Sequence, residues 1–294
     1  MEIKKIKDLF MKYSFFGIAG FNIIIVFLVF FFVFINSMKF FINYPIKDFL
    51  MGKEWISLSE KFGLLPLIIG SFWVTLVALG IMVPLSLIIS IYTAEYAKPK
   101  TEKIIKIIIE IMSAIPSVAL GYIGLYALST PIKEIFELST GLTAFTGGIL
   151  LSFMSIPRAV TVSYNSIRTL DISYKEASMA LGANKLETIV KVILPAASPR
   201  IFAGIMMGFG RIVGETMTVV MVTGNASILN TGPFSPVRTL TATIATEMGE
   251  VVQGSLHYYA LFAVALVLFS ISFTRNMITD YFTNRYRKKM GEII

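Results

Sequence analysis

Two ionisable side chains of opposite sign, Arg211 and Glu215, stand four residues apart in the apolar run "SPRIFAGIMMGFGRIVGETMTVVMVTG" (198–224). In a continuous helix that spacing puts both on one face and within pairing reach. An arginine inside a bilayer costs at least about 2.5–3.5 kcal/mol on insertion scales, so it must face protein or water. Two readings stay open: a structural ion pair that joins helices, or a polar station on a solute path. A guanidinium is also the side chain that best fits a tetrahedral oxyanion, because its fork donates two parallel hydrogen bonds. Arg158 follows Pro157 in another apolar run. The proline is expected to break the helical ladder there, and Arg158 to snorkel inward or line a cavity, with structural and functional roles both open. Gly204 and Gly208, and Gly210 and Gly214, are spaced by four, which predicts helix faces that admit close neighbours.

Other chemistries lack their residues. There is no cysteine, no HExxH run and no phosphate-binding Walker loop, so the sequence predicts neither a metal site nor a bound cofactor. The single histidine, His257, falls at the edge of an apolar run and reads as a boundary residue. No nucleophile–base constellation is visible. If solute moves uphill on ATP, another chain must hydrolyse it.

One stretch differs in character. "EASMALGANKLETIVKVILP" (176–195) is polar and Ala-rich, with Glu176, Ala177 and Ser178 at its start and Leu194 and Pro195 at its end. Asp171 and Ser173 are candidate N-caps. Gly182 is expected to end the first helix in a left-handed turn. A second amphipathic piece then stops at Pro195. The unit predicted is a short helix–turn–helix outside the membrane.

The elements that must hold these residues follow from composition. Of 294 residues 55% are hydrophobic and only 15% charged, against about 25% in soluble domains. Six runs are long enough to cross a bilayer, near 14–38, 64–94, 111–132, 142–167, 199–223 and 253–275. The expected class is an all-α membrane protein with six transmembrane helices. Ser14 to Met38 is too long for a signal-peptide core and reads as a retained first span. Lys and Arg gather at Lys4–Lys12, Lys98–Lys106, Arg168–Arg200 and Arg275–Lys289, all on one side of such a bundle. The positive-inside rule then sets both termini in the cytoplasm. The net charge of +8 is therefore a topology signal, not a nucleic-acid footprint. The last outer loop, 224–252, is rich in Gly, Thr, Ser, Asn and Pro and is expected to be largely irregular, or re-entrant.

The spacing Glu176-Ala177-Ser178, Gly182, then Val192-Ile193-Leu194-Pro195 resembles the "EAA---G---------I-LP" loop of ABC importer permeases, with Ser for the third Ala and Val for the Ile. "GKEW" (52–55), "FGLLPLIIGSFWVT" (62–75), "IYTAEYA" (91–97), "IPSVALGYIGL" (115–125) and "GRIVGETMTVVMVTGN" (210–225) are similar to permeases of the phosphate-specific ABC importer, the PstC type in particular. The likeness covers roughly residues 52 to 275. It departs where the family often has a "SEDAL"-like acidic run, since this chain reads "SYNSI" (163–167), and it offers no counterpart for Arg158.

The resemblance implies a type I ABC importer permease fold. Residues 1–62 would form the first helix and an external segment, 63–280 the permease domain and 281–294 a basic tail. It implies coupling helices at about 168–198, with Glu176, Ala177, Ser178, Gly182, Leu194 and Pro195 gripping an ATPase subunit. Arg211 and Glu215 match the pair associated with the phosphate path, and Arg158 joins them as a candidate. The implied partners are a second, PstA-type permease, two ATPase subunits, an external phosphate-binding protein, membrane lipid and inorganic phosphate. Two alternatives are an importer of another oxyanion, such as sulfate or molybdate, and a secondary transporter using Arg211 and Glu215 as a proton-coupled site.

Overall fold

The computed structural model describes residues 2–229 and 232–289. Its backbone is mostly helical, as it must be where no water is present to satisfy an exposed peptide group. The helices are α1 (Glu2–Asn43), α2 (Ile46–Met51), α3 (Leu65–Glu95), α4 (Pro99–Ala114) and α5 (Ser117–Ile135). They continue with α6 (Ala144–Arg168), α7 (Ser173–Ala180), α8 (Lys185–Gly214), α9 (Met217–Val222), α10 (Leu240–Glu247) and α11 (Leu256–Lys289). A two-stranded hairpin, Trp55–Ile56 with Lys61–Phe62, lies between α2 and α3. Five helices are long and apolar enough to cross a membrane, and α4 with α5 makes a bent sixth.

That bend corrects the third expected span. Near 111–132 the chain is not one helix: it turns by 93° between α4 and α5. Pro116 lacks an N–H and biases Ile115 to an extended backbone (φ −70, ψ 125), so the helix stops there. Helix α4 thereby becomes the first, amphipathic limb of the bent pair. Tyr164 of the "SYNSI" run ties it to α6, its hydroxyl donating to Glu102 at 2.6 Å, while Lys106 lies 4.5 Å over the same ring.

Small residues set the packing. Helices α3 and α6 meet where Gly148 leaves room for Val77, whose Cγ1 would stand 2.5 Å from an added Cβ. Gly204 and Gly208 of α8 admit Val162 and Met82 in the same way, at 2.9 and 2.5 Å. Gly214 meets nothing, contrary to expectation, and Gly210 meets a guanidinium instead of a helix backbone.

Helices α1 and α11 run antiparallel. Phe30 contacts Phe269, Phe32 contacts Phe262, and the Ser37 hydroxyl reaches the Phe262 carbonyl at 2.8 Å. The start of α1 and the end of α11 therefore lie on one side. Helix α11 continues through Lys289, and the remainder of the expected 281–294 tail lies outside the described residues.

At the opposite end a polar knot closes the bundle. Glu247 accepts from Trp55 Nε1 at 3.0 Å, Ser57 Oγ at 3.2 Å and Arg238 Nη1 at 2.6 Å, and its Oε2 lies 2.7 Å from His257 Nε2. His257 is thus a linked member of the knot as well as a boundary residue. The 224–252 loop is only partly irregular. A bridge joins Gly224 to Val237, α10 follows, and Val237, Leu240, Ala242 and Thr243 are buried, so the segment re-enters the bundle.

Candidate functional site

Helix α8 ends at Gly214, three residues after Arg211, and this corrects two expectations. The fifth span does not run through 199–223, because the backbone of Glu215 is extended (φ −73, ψ 134) and a new helix starts at Met217. Arg211 and Glu215 consequently do not share a helix face, and no ion pair joins them among the described residues. The Glu215 carboxylate accepts instead from the Thr218 N–H at 3.3 Å, and its carbonyl accepts from Thr241 Oγ1 at 2.9 Å. The acid is a hinge between α8, α9 and α10.

Arg211 and Glu215 still meet at one place. An open cleft of about 780 Å³ is lined by Arg158, Arg211, Glu215, Arg275, Asn276 and Asp280, with small residues of α8 along its floor. Pro157 removes one backbone donor, but α6 runs on unbroken to Arg168 and aims Arg158 into this cleft. Nothing among the described residues accepts a hydrogen bond from Arg211, and its buried Nε has no partner. Glu215 also borders a smaller apolar cavity of about 210 Å³ lined by Ile68, Phe72, Phe209 and Leu268.

Sequence reasoning placed Arg275 at the end of the last span, as an inside charge. The structure puts it twenty residues into α11, against Gly210. Its signal was present as a charge followed by further helix-forming residues, but the hydropathy of the run hid it.

The second region is the hairpin of α7 and the start of α8. Asp171 does not cap as a residue at the helix boundary, which Ile172 occupies, but its carboxylate accepts from the Ser173 N–H at 2.9 Å. At the far end Gly182 takes φ +87, with Gly182 N–H donating to Met179 and Ala183 N–H to Ser178, a paired closure of the last turn. Asn184 and Glu187 then cap α8 reciprocally, at 2.9 and 3.0 Å. Pro195 does not stop the second piece. A π turn over Ile189–Ile193 widens the helix just before it, Leu194 N–H bonding back to Ile189, and α8 continues into the membrane.

Glu176, Ala177, Gly182 and Pro195 are exposed, Ser178 and Leu194 half-buried, and the Ser178 hydroxyl lies 3.0 Å from that of Thr188. Leu181 is 90% and Leu186 62% exposed, so the hairpin is not tucked against its own bundle. Glu95, from "IYTAEYA", anchors it: Lys175 pairs with its carboxylate at 2.6 Å and Lys185 reaches its carbonyl at 2.6 Å.

Apolar helices surround an arginine-lined cleft, and an exposed polar hairpin is joined to one of the cleft helices, the architecture of a multi-pass membrane protein. The chain belongs to the family of binding-protein-dependent transport system inner membrane components, whose model matches residues 86–288. It is 35% identical to "Probable ABC transporter permease protein YqgH" of Bacillus subtilis (strain 168), over 81% of this chain and 78% of that one. It is 30% identical to "Phosphate transport system permease protein PstC" of Mesorhizobium japonicum, over 83% and 80% of the two chains. In fold it is similar to an inward-facing MetNI methionine ABC transporter (TM-score 0.58, 18% identity, 75% of this chain and 96% of that one). It is an ABC importer permease of the cytoplasmic membrane, multi-pass and not itself an enzyme, and its family works with ATPase and solute-binding partners.

Proposed function

We propose that this chain is the PstC-type permease of a phosphate importer, with Arg211, Glu215 and Arg158 on the solute path. The observation that carries the reading is Arg211, a guanidinium lining a polar cleft within an apolar bundle, with no acceptor for its charge among the described residues. Such a group binds a tetrahedral oxyanion through paired, charge-assisted hydrogen bonds. The relatives named as phosphate permeases support phosphate as that anion. The partners proposed are a PstA-type permease closing the open side of the cleft, two ATPase subunits, and an external phosphate-binding protein. Residues 1–62, 63–280 and 281–294 serve as anchor, permease domain and tail.

In this mechanism ATP binding draws the hairpins together and opens the bundle outward. Hydrolysis reverses the movement, and the anion leaves past Arg211. The unbroken helical run from the hairpin through the π turn into α8 supports transmission of that movement. A ligand shifts such an equilibrium only through its differential affinity for the two states, so the site on Arg211 must be weak enough to release.

Arg211→Gln in the complete importer, reconstituted in proteoliposomes with its binding protein, is expected to abolish phosphate uptake while ATP hydrolysis persists. Full uptake by that variant would take Arg211 off the path. Competition by sulfate and molybdate against labelled phosphate decides the anion: inhibition by either at equal concentration favours the alternative oxyanion reading.

A further inference from the structure

Arg275 differs from the basic residues that follow it in α11, because it sits opposite the end of α8 and not beyond the apolar bundle. Its guanidinium rests on the α-carbon of Gly210, the residue directly before Arg211. A Cβ at Gly210 would collide with Arg275 Nη1 and lie 2.7 Å from its Cζ. A side chain at Gly210 would have to displace that guanidinium. The register is independently marked by Phe202 and Phe282, two turns further along, whose rings are 5.5 Å apart.

No carboxylate pairs with Arg275 among the described residues. Its Nη2 donates to the neutral amide oxygen of Asn276 at 2.7 Å, and its Nε is buried without a partner. Arg211 carries the same defect at the same atom. Both groups line one cleft with Arg158, and the two carboxylates there, Glu215 and Asp280, pair with none of the three among the described residues. Three cations against two unpaired anions leave the cleft with net positive charge. Buried donors left unmet cost free energy unless a ligand or water supplies acceptors. Arg211 and Arg275 are half-buried and Arg158 is exposed, so the net positive charge of this open cleft favours an anion in it.

We propose that Arg275 is a second anion-binding residue of the path, holding a phosphoryl oxyanion jointly with Arg211 across the floor kept clear by Gly210. This rests on the oxyanion reading of the cleft. Two forks bind a tetrahedral anion at four oxygen positions, where one fork reaches two. Asp280, one turn further along α11, lines the cleft beyond them and opposes retention of the anion on that side.

The test is labelled inorganic phosphate uptake and simultaneous ATP hydrolysis by the complete importer, in vesicles of phosphatidylcholine alone and in vesicles with added anionic lipid. Arg275→Gln is expected to lower phosphate moved per ATP at least about tenfold, the scale of one charge-assisted hydrogen bond, with assembly and hydrolysis kept. Arg275→Lys, which keeps the charge and loses the fork, is expected to recover only part of that loss. Gly210→Ala, which changes no charge but displaces Arg275, is expected to fall between them. Uptake by Arg275→Gln within about twofold of the original, alongside a dead Arg211→Gln, overturns the role of Arg275 and leaves the reading of the cleft standing. Normal uptake by both variants overturns the reading of the cleft as well. Loss of assembly unrelieved by Arg275→Lys marks a structural arginine and also overturns the proposal. A defect seen only with anionic lipid assigns the site to a lipid headgroup, and the proposal falls in that case too.

Discussion

Individual charges in this chain act according to whether a hydrogen bond reaches them. Arg211 lines a cleft with no partner among the described residues, and its sequence neighbour Glu215 is spent on the N–H of Thr218. The four-residue spacing suggested a pair, but it held only while the helix held, and the backbone turns extended at Glu215. In the hairpin the logic is plainer. The Asn184 N–H holds the Glu187 carboxyl below the ordinary glutamate value of 4.5, with Lys191 adding to the effect, and the Ser173 N–H lowers Asp171 below its ordinary 3.8. A carboxylate lowered on folding stabilises the fold fully above its unfolded pKa and loses that contribution as pH falls through the folded one. The hairpin caps are therefore intact at neutral pH and weaken in acid below about pH 4.5. Amide hydrogen exchange at Asn184, whose N–H the Glu187 carboxylate accepts, is expected to speed up below that pH beyond its intrinsic trend, and Glu187→Gln should remove most of the excess. Exchange that follows the intrinsic trend throughout would separate the cap from the titration.

Elements in this chain are shaped by where they stop. Gly182, at φ +87 with no atom near the position of a side chain, is held by backbone conformation alone. Gly182→Ala is expected to cost about 1 kcal/mol, the ordinary penalty of a left-handed non-glycine residue, and to leave transport intact. Gly182→Pro cannot adopt that φ at all and removes the bond to Met179. It is expected to uncouple or release the ATPase, and co-purification of that subunit at the original ratio would count against the docking role of the hairpin. The hairpin was legible in advance because capping and turn chemistry are local. Prolines were less so. Pro116 ends a helix while Pro157 and Pro195 are absorbed, one by a lost bond in a packed span and one by a π turn, and only the surroundings distinguish the three cases.

At the scale of the whole molecule, one end is a working surface and the other a clasp. Glu247 gathers the hairpin before α3, the re-entrant loop and the start of α11 through Trp55, Ser57, Arg238 and His257. Its side chain is 15% and that of Arg238 20% exposed, so the pair is largely dehydrated. Glu247→Ala is expected to cost on the order of 3 kcal/mol, the scale for removing one partner of a mostly buried ion pair. The purified complex should show a lower Tm and faster proteolysis of the 224–239 segment; an unchanged Tm would mean the clasp is not a stability element. The sequence alone determined that this is a helical bundle in lipid, how its ends are sided, and that a polar hairpin interrupts it, because hydropathy, charge bias and capping act over a few turns of chain. Tertiary structure alone decided that α8 breaks at Glu215, that Arg275 lies on Gly210, and that Glu95 braces the hairpin. Each depends on residues far apart in the chain being brought into contact, and local periodicity carries no record of that.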